Sequence, residues 1–221
     1  MYTTAIIVAG GRGVRLCDST PKQFLEIGGV PILMRTIEVF EGLVDEIIVV
    51  LPSEFIEHWD ALCQRHNFRV SHRVTVGDSE RFSSVRRGLE CVSGSTELVL
   101  VHDGVRPFVD SGLISRVIEA AVQNGAAAPA VPVTDTLRWI SGGGLSRSQV
   151  MAMQTPQAFR YDILEKSYRQ EFSSAYTDDV SVVEAAGYGV EFVEGDVSNF
   201  KITTPYDLRL AQLLVCNTTS S

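Results

Sequence analysis

Short runs of apolar and β-branched residues alternate along this chain with longer stretches of helical period, and nothing else restricts its fold as strongly. Residues 4–8, 46–51, 98–102 and 127–133 read as strands with few polar interruptions, and 69–75 reads as a weaker one. Between them lie helical patterns at 31–40, with Pro31 in the first turn, at 53–66 with Ser53 as N-cap, at 80–92 with Ser79 as N-cap, and at 111–124. Strands that are apolar on both faces need cover on both faces. The pattern therefore predicts an α/β fold of Rossmann-like type, a mostly parallel sheet flanked by helices. Such sheets bind ligands beyond the carboxyl ends of their strands, near a switch in strand order.

The rhythm breaks after residue 133. Residues 136–140 look like a strand, Gly142 to Gly144 a turn, and 149–154 a returning strand. This predicts an inserted β-hairpin arm at about 134–158 within one domain spanning 1–221. A lone two-stranded hairpin is only marginally stable, so the arm either packs on its own domain or serves dimerisation with a second copy. Helices follow at 161–172, 177–186 and 205–215, with strands at 190–193 and 200–202 and a frayed tail at 217–221.

Composition closes off several functions. Hydrophobic residues make up 45% and charged residues 21%, which is globular usage. Nineteen Lys plus Arg against 27 Asp plus Glu leave a net charge of −8, a poor balance for general nucleic-acid binding. The four cysteines, Cys17, Cys63, Cys91 and Cys216, form no CxxC pair and no metal-ligand spacing with His58, His66, His72 or His102. Reduced thiols are expected. No basic leader followed by an apolar core is visible, and no apolar run reaches the roughly 20 residues that span a bilayer. The expectation is a soluble intracellular protein without a membrane partner.

Three segments can carry chemistry. After the first strand, Ala9-Gly10-Gly11-Arg12-Gly13 offers bare backbone amides for an anion, or simply a tight turn. It lacks the GxxxxGK[ST] pattern, and Leu16 stands where a dinucleotide fingerprint needs its third glycine. Arg15 and Lys22 can flank a triphosphate and neutralise charge that builds up in phosphoryl or nucleotidyl transfer. After the fourth strand, Asp103 can hold a substrate hydroxyl or a metal ion, and Arg106 can pair with it or with an anionic ligand. A structural Asp–Arg pair is the plainer alternative, and His102 reads as a partly buried strand-end residue. Late in the chain, Thr177 suits a helix N-cap, Asp178 and Asp179 suit a helix start, and Lys201 can neutralise a phosphate or stand exposed. The segment Gly77 to Ser84 can present backbone groups to a base edge or form a loop and cap.

Taken in order, AGGRGVRL with PKQFLEIGG, GDSERFSSV, VHDGVRP, VTDTL, QTPQAF, TDDVSVVEAAG and NFKITTPYDL resemble the 2-C-methyl-D-erythritol 4-phosphate cytidylyltransferases. The resemblance spans nearly the whole chain. Two details differ: Ala-Gly-Gly stands where many members have Ala-Ala-Gly, and Gly-Asp-Ser stands in place of Gly-Gly-Asp. The resemblance implies a homodimeric enzyme that uses CTP and Mg2+, the metal bridging the nucleotide phosphates. It implies that Ala9, Gly10 and Gly11 contact the nucleotide, and that Arg15 and Lys22 stabilise the reacting phosphate. Gly77, Ser79 and Ser84 would select cytosine and ribose. Asp103 and Arg106 would hold the acceptor's hydroxyls, and Thr177 and Lys201 its phosphate. Thr136 and Arg147 would reach that phosphate from the partner's arm. Rival readings are a ribitol 5-phosphate cytidylyltransferase of the same fold, a nicotinamide-dependent oxidoreductase, and a non-catalytic nucleotide-binding regulator.

Overall fold

The computed structural model describes residues 1–10 and 20–218. Strand β1 (Tyr2–Val8) leads to a 3-10 turn at Lys22–Phe24 and a small antiparallel pair, β2 (Glu26–Ile27) with β3 (Val30–Pro31). Helix α1 (Ile32–Phe40), β4 (Glu46–Leu51), α2 (Ile56–Arg65), β5 (Arg73–Val76), α3 (Arg81–Leu89) and β6 (Thr96–Asp103) continue the alternation. Then come α4 (Ser111–Asn124), β7 (Ala126–Pro132), β8 (Met151–Met153), β9 (Gln157–Arg160), α5 (Tyr161–Ser167), α6 (Asp179–Ala185), β10 (Glu191–Glu194) and α7 (Pro205–Thr218).

The main sheet runs β10-β7-β9-β6-β1-β4-β5, with β8 also on β7. Its β6-β1-β4-β5 half is parallel, as is the β7–β10 pair, while β9 lies antiparallel between β6 and β7. Successive strand residues point to opposite faces, and the core divides accordingly. Ala5, Ile7, Val49, Leu98 and Leu100 pack under α1, α2 and α4. Ile6, Val50, Val99, Val101 and Phe159 pack under α3, α5 and α6. A smaller cluster of Ile27, Ile32, Val105, Ile202, Ala211 and Val215 seats α7. Each fully buried Ile, Leu or Val contributes about 1.5–3 kcal/mol. The mostly parallel, helix-flanked sheet expected from the sequence is therefore present. Among the described residues no helix is long and apolar enough to cross a membrane.

Several local expectations need correction. Ser53 does not cap α2: it follows Pro52 into a 3-10 turn, and the helix begins only after Phe55. Ser79 does not cap α3 either, because its hydroxyl turns to the Asp78 carboxylate. The N-cap of α6 is Asp178, not Thr177: Asp178 accepts from the Ser181 amide, and the Ser181 hydroxyl closes a capping box. Residues 69–72 leave the sheet, since His72 Nδ1 bonds the Val70 carbonyl and its Nε2 accepts from Trp59. Helix α5 stops at Ser167, whose carbonyl is capped by the Gln170 amide. Residues 200–202 form no strand: Ile202 makes one bond to the Val105 carbonyl and turns its side chain into the α7 cluster.

The expected hairpin differs most. Residues 136–140 are not a strand, and one isolated bridge, Arg138 to Gly144, joins the two limbs. The returning strand β8 pairs with β7 instead. The glycine turn is real, with Gly142 and Gly143 at φ of 100° and 88°. Trp139 and Ile140 stand exposed at its tip.

Candidate active site

Parallel register brings the functional ends together. Val8 lies opposite Val50 on one side and Asp103 on the other, and Leu51 lies opposite Val76. The segments that follow β1, β4, β5 and β6 thus leave the sheet along one edge. Strand order reverses about β1, with β4 and β5 built to one side and β6 to the other, so this edge is the switch point.

A cleft opens there. Ala9, Gly10, Lys22, Ser79, Ser84, Asp103 and Lys201 line it, together with Val8, Gln23, Asp78, Glu80, Arg81 and Val105. A second cavity, lined by Gly77, Pro52, Ser53 and Glu54, shares Gly10, Asp78 and Ser79 with it. The Gln23 amide donates to the Ala9 carbonyl at 2.8 Å and ties the 3-10 turn that carries Lys22 to the end of β1. On the opposite wall, the Ser84 hydroxyl accepts from the Asp78 amide at 3.0 Å and donates to the Asp78 carbonyl at 3.1 Å. Ser84 thereby shapes the loop. A Cβ on Gly77 would lie 3.0 Å from both Ser84 Oγ and Val50, so a bare backbone lets that loop pack down.

Asp103 is the electrostatic centre. Its Oδ2 meets Lys201 Nζ at 3.0 Å and Arg106 Nε at 3.2 Å, and its Oδ1 stands 3.9 Å from Arg81 Nε. Arg106 also donates to the Asn199 carbonyl at 2.7 Å, which fixes it behind the carboxylate. Burial alone would raise the Asp103 carboxyl. Lys201, Arg81 and Arg106 together overcome this and hold it well below the usual carboxylate range. Asp179 pairs with Arg81 as well, so the cluster holds two anions and three cations, and a phosphorylated ligand can use the one positive charge in excess.

The residue beneath is His102, fully buried rather than partly so. Its Nε2 lies 3.2 Å from the Arg106 carbonyl and its Nδ1 3.1 Å from Thr155 Oγ1, which in turn accepts from the Asp103 amide. A neutral ring with its proton on Nε2 satisfies every partner. Burial, opposed by Asp103, lowers its pKa from 6.5 to about 4. As pH falls from about 6.5 toward about 4, the unfolded chain takes up a proton that the folded chain refuses, and stability falls with it. The window is worth about 3 kcal/mol. Urea midpoints of wild type and His102→Gln between pH 7 and pH 4 check this: the wild type is expected to lose its advantage over the variant on acidification. Parallel acid loss in both proteins would show that another group is responsible.

The remaining expected site residues divide. Gly11 and Arg15 lie outside the described residues. Thr177 is exposed just before α6, with its amide on Ser181 Oγ. Thr136 and Arg147 lie in the extension between β7 and β8, and Arg147 bonds the Thr134 carbonyl. None of these three lines the cleft of its own chain. Arg81, Gln23 and Tyr168 are not among the residues expected from the sequence, and Asp179, expected only as a helix-start charge, is the buried partner of Arg81. Arg81 and Gln23 stand inside the GDSERFSSV and PKQFLEIGG segments, which is the one sequence signal that points to them.

Among the described residues, no three His, Cys, Asp or Glu side chains gather into a group that could hold a metal ion. One oxygen of Asp103 is already held by Lys201 and Arg106. These residues do not fit a protein-built Mg2+ cage. Cys63 is no nucleophile either, because burial and Asp60 push its thiol up to about 11.

A parallel sheet with glycine backbone on one side of its switch point, and a cation-ringed carboxylate on the other, defines a class. It is that of α/β domains which bind a phosphorylated, hydroxyl-bearing substrate at their strand ends. The family model described as 2-C-methyl-D-erythritol 4-phosphate cytidylyltransferase matches residues 3–217. A curated relative of that name from Bacteroides fragilis is 46% identical over 220 residues, covering 97% of this chain and 100% of the relative. The crystal structure of the 2-C-methyl-D-erythritol 4-phosphate cytidylyltransferase of Thermus thermophilus matches with a TM-score of 0.82 at 36% identity, over 98% of this chain and 100% of that one. The 4-diphosphocytidyl-2C-methyl-D-erythritol synthase of Anaerococcus prevotii gives 0.83 at 30% identity, over 97% and 96%. The chain belongs to the 2-C-methyl-D-erythritol 4-phosphate cytidylyltransferase family.

Proposed function

We infer that this chain transfers CMP from CTP to 2-C-methyl-D-erythritol 4-phosphate. The products are 4-diphosphocytidyl-2-C-methyl-D-erythritol and pyrophosphate. Family membership across residues 3–217 carries the reading. The meeting of Gly10, Lys22, Asp103 and Lys201 in one cleft supports it.

The chemistry needs little from the protein beyond placement. A phosphate oxygen of the acceptor attacks the α-phosphorus of CTP in line. A new P–O bond forms, the bond to the bridging oxygen breaks, and that electron pair leaves with pyrophosphate. The attacking phosphate is already ionised near neutral pH, so no general base or protein nucleophile is required. Positioning and charge neutralisation supply the rate. In this reading Ala9, Gly10 and Gly11 cradle the nucleotide phosphates, and Arg15 and Lys22 meet the charge on the reacting and leaving groups. Gly77, Ser79 and Ser84 shape the base and ribose site, with Ser84 acting through the Asp78 backbone that it holds. Asp103, braced by Arg106, receives a hydroxyl of the acceptor, and Lys201 faces its phosphate. Mg2+ would come with the nucleotide and would help to neutralise its phosphates, with none of the described residues assigned to hold it.

The extension that carries Thr136 and Arg147 is proposed as a dimerisation arm. Its tip residues Trp139 and Ile140 are exposed, an arrangement suited to burial against a second copy. Thr136 and Arg147 would reach the acceptor's phosphate only in that dimer, while Thr177 and Lys201 would meet it from the chain that holds the cleft.

The test is pyrophosphate release from CTP and Mg2+ with methylerythritol phosphate and ribitol 5-phosphate in parallel. Release with the first acceptor alone is expected. Release with ribitol 5-phosphate alone would keep the nucleotide site and overturn the acceptor. An NAD-induced rise in Tm with none from CTP would overturn the nucleotide.

A further inference from the structure

The turn that carries Lys22 is seated on an aromatic relay. Phe24, the last residue of that 3-10 turn, is buried. Its ring meets Phe55 at 5.7 Å and His58 at 4.9 Å edge-on, and it stacks on Trp59 at 6.3 Å and 26°. Trp59 is fully buried on α2 and is anchored from its other side. Its indole Nε1–H donates to His72 Nε2 at 3.0 Å, and Phe68 packs against both rings. An indole nitrogen only donates, so His72 Nε2 carries no proton, and Nδ1–H donates to the Val70 carbonyl at 2.8 Å. A line of contacts thus runs from the Lys22 turn through Phe24 and Trp59 to a histidine whose bonds require a neutral ring.

A second proton on His72 would set donor against donor and leave the buried indole N–H without an acceptor, which is strongly unfavourable. The charged ring has another place to turn. His72 borders a cavity of about 350 Å3 that it shares with Tyr2, Glu41, Asp45, Glu46 and Arg73. Arg73 already pairs with Glu46 at 2.6 Å, and Asp45 Oδ2 accepts from the Thr3 amide at 2.7 Å. Glu41 and Asp45 are therefore the carboxylates that face an imidazolium there. On α2 the ionisable neighbours of Trp59 are Glu57, His58 and Asp60, all exposed. Building on the cytidylyltransferase reading, which gives Lys22 its role, we propose that Trp59 and His72 are positioning residues for Lys22. Protonation of His72 releases the relay and slows turnover.

The test is kcat for pyrophosphate release from CTP and methylerythritol phosphate between about pH 7.5 and about pH 5.5, where histidine side chains take up a proton. Each kcat is taken relative to the same protein's value at the upper pH. His72→Gln is the conservative variant: its amide can accept from Trp59 and donate to Val70, and it does not titrate. On acidification wild type is expected to lose roughly threefold to tenfold more than His72→Gln, the worth of about one hydrogen bond. The excess lies in kcat, while KM for CTP changes alike in both proteins. It vanishes between Lys22→Ala and the double variant Lys22→Ala/His72→Gln, because the relay acts through Lys22. Ionisation of the substrate phosphates is common to all four proteins and cancels.

Superimposable acid profiles for wild type and His72→Gln would overturn the proposal, and so would an excess that survives in the Lys22→Ala background. The relay is also read without turnover. In Trp139→Phe, Trp59 is the only indole left. Its emission is expected to shift over the same pH range and to stay constant once His72→Gln is added. Constant emission in Trp139→Phe itself would overturn the relay even if His72→Gln fails to fold. Wild type that releases no pyrophosphate with either acceptor would overturn the function reading, and Lys22's role with it. The emission would then still decide whether His72 lets go of Trp59.

Discussion

Lys22→Ala is expected to fold as wild type does and to lower kcat for pyrophosphate release by roughly 100-fold or more. Lys22 opens the 3-10 turn after Pro21 and lines the cleft next to Gly10. Its neighbours in the turn, Gln23 and Phe24, are the buried ones, and they hold the turn in place. The charge can therefore be removed without opening the core. In a nucleotidyl transfer the negative charge that grows is on the departing pyrophosphate, so the loss belongs to the transition state more than to binding. The signature is a large fall in kcat with a smaller change in KM for CTP, at unchanged Tm. A folded variant with near-wild-type kcat would remove Lys22 from the reaction.

Asp103→Asn has a two-sided expected result. The substitution leaves buried Arg106 beside a neutral amide, while Arg81 keeps Asp179 and Lys201 reaches solvent, and an uncompensated buried charge costs about 3 kcal/mol or more. Tm should fall, and kcat/KM for the acceptor should drop by roughly ten- to 100-fold through loss of a charged hydrogen-bond acceptor. The triphosphate can supply part of the missing negative charge. CTP should then raise the Tm of the variant by more degrees than that of wild type. Equal CTP stabilisation in both proteins would show that the cations around Asp103 do not feel the nucleotide.

Much of this is legible in the amino-acid order, for physical reasons. Strands buried on both faces must be apolar throughout, so β1, β4 and β6 announce themselves, and Asp103 stands out as the first acidic residue after the apolar run of β6. Helix α4 is legible at both ends, because Asp110 can cap it and Gly125, at φ 89°, can end it. Strand β9 is hidden: its four residues follow a proline and have no helix-length gap before them. An antiparallel strand inserted late into a parallel sheet leaves no local signature. The caps Ser53, Ser79 and Thr177 mislead because each has a competitor nearby. Pro52 starts a tighter turn, and the carboxylates of Asp78 and Asp178 accept more strongly than a hydroxyl. The pairing of Arg81 with Asp179, 98 residues apart, is set by packing of α3 beside α6 and cannot be read from spacing.

Strand β9 also decides how the chain tolerates being cut. Among the described residues, its four are the only hydrogen-bonded link in the sheet between β6 and β7. A fragment that stops before Gln157 would keep every strand of the nucleotide side, yet β6 would become a raw edge. Leu98 through Val101 on that edge are wholly buried in the intact protein. A long apolar edge of that kind invites pairing with another chain. Both nascent chains and proteolytic fragments of this protein should therefore need shielding until the antiparallel strand has closed the gap.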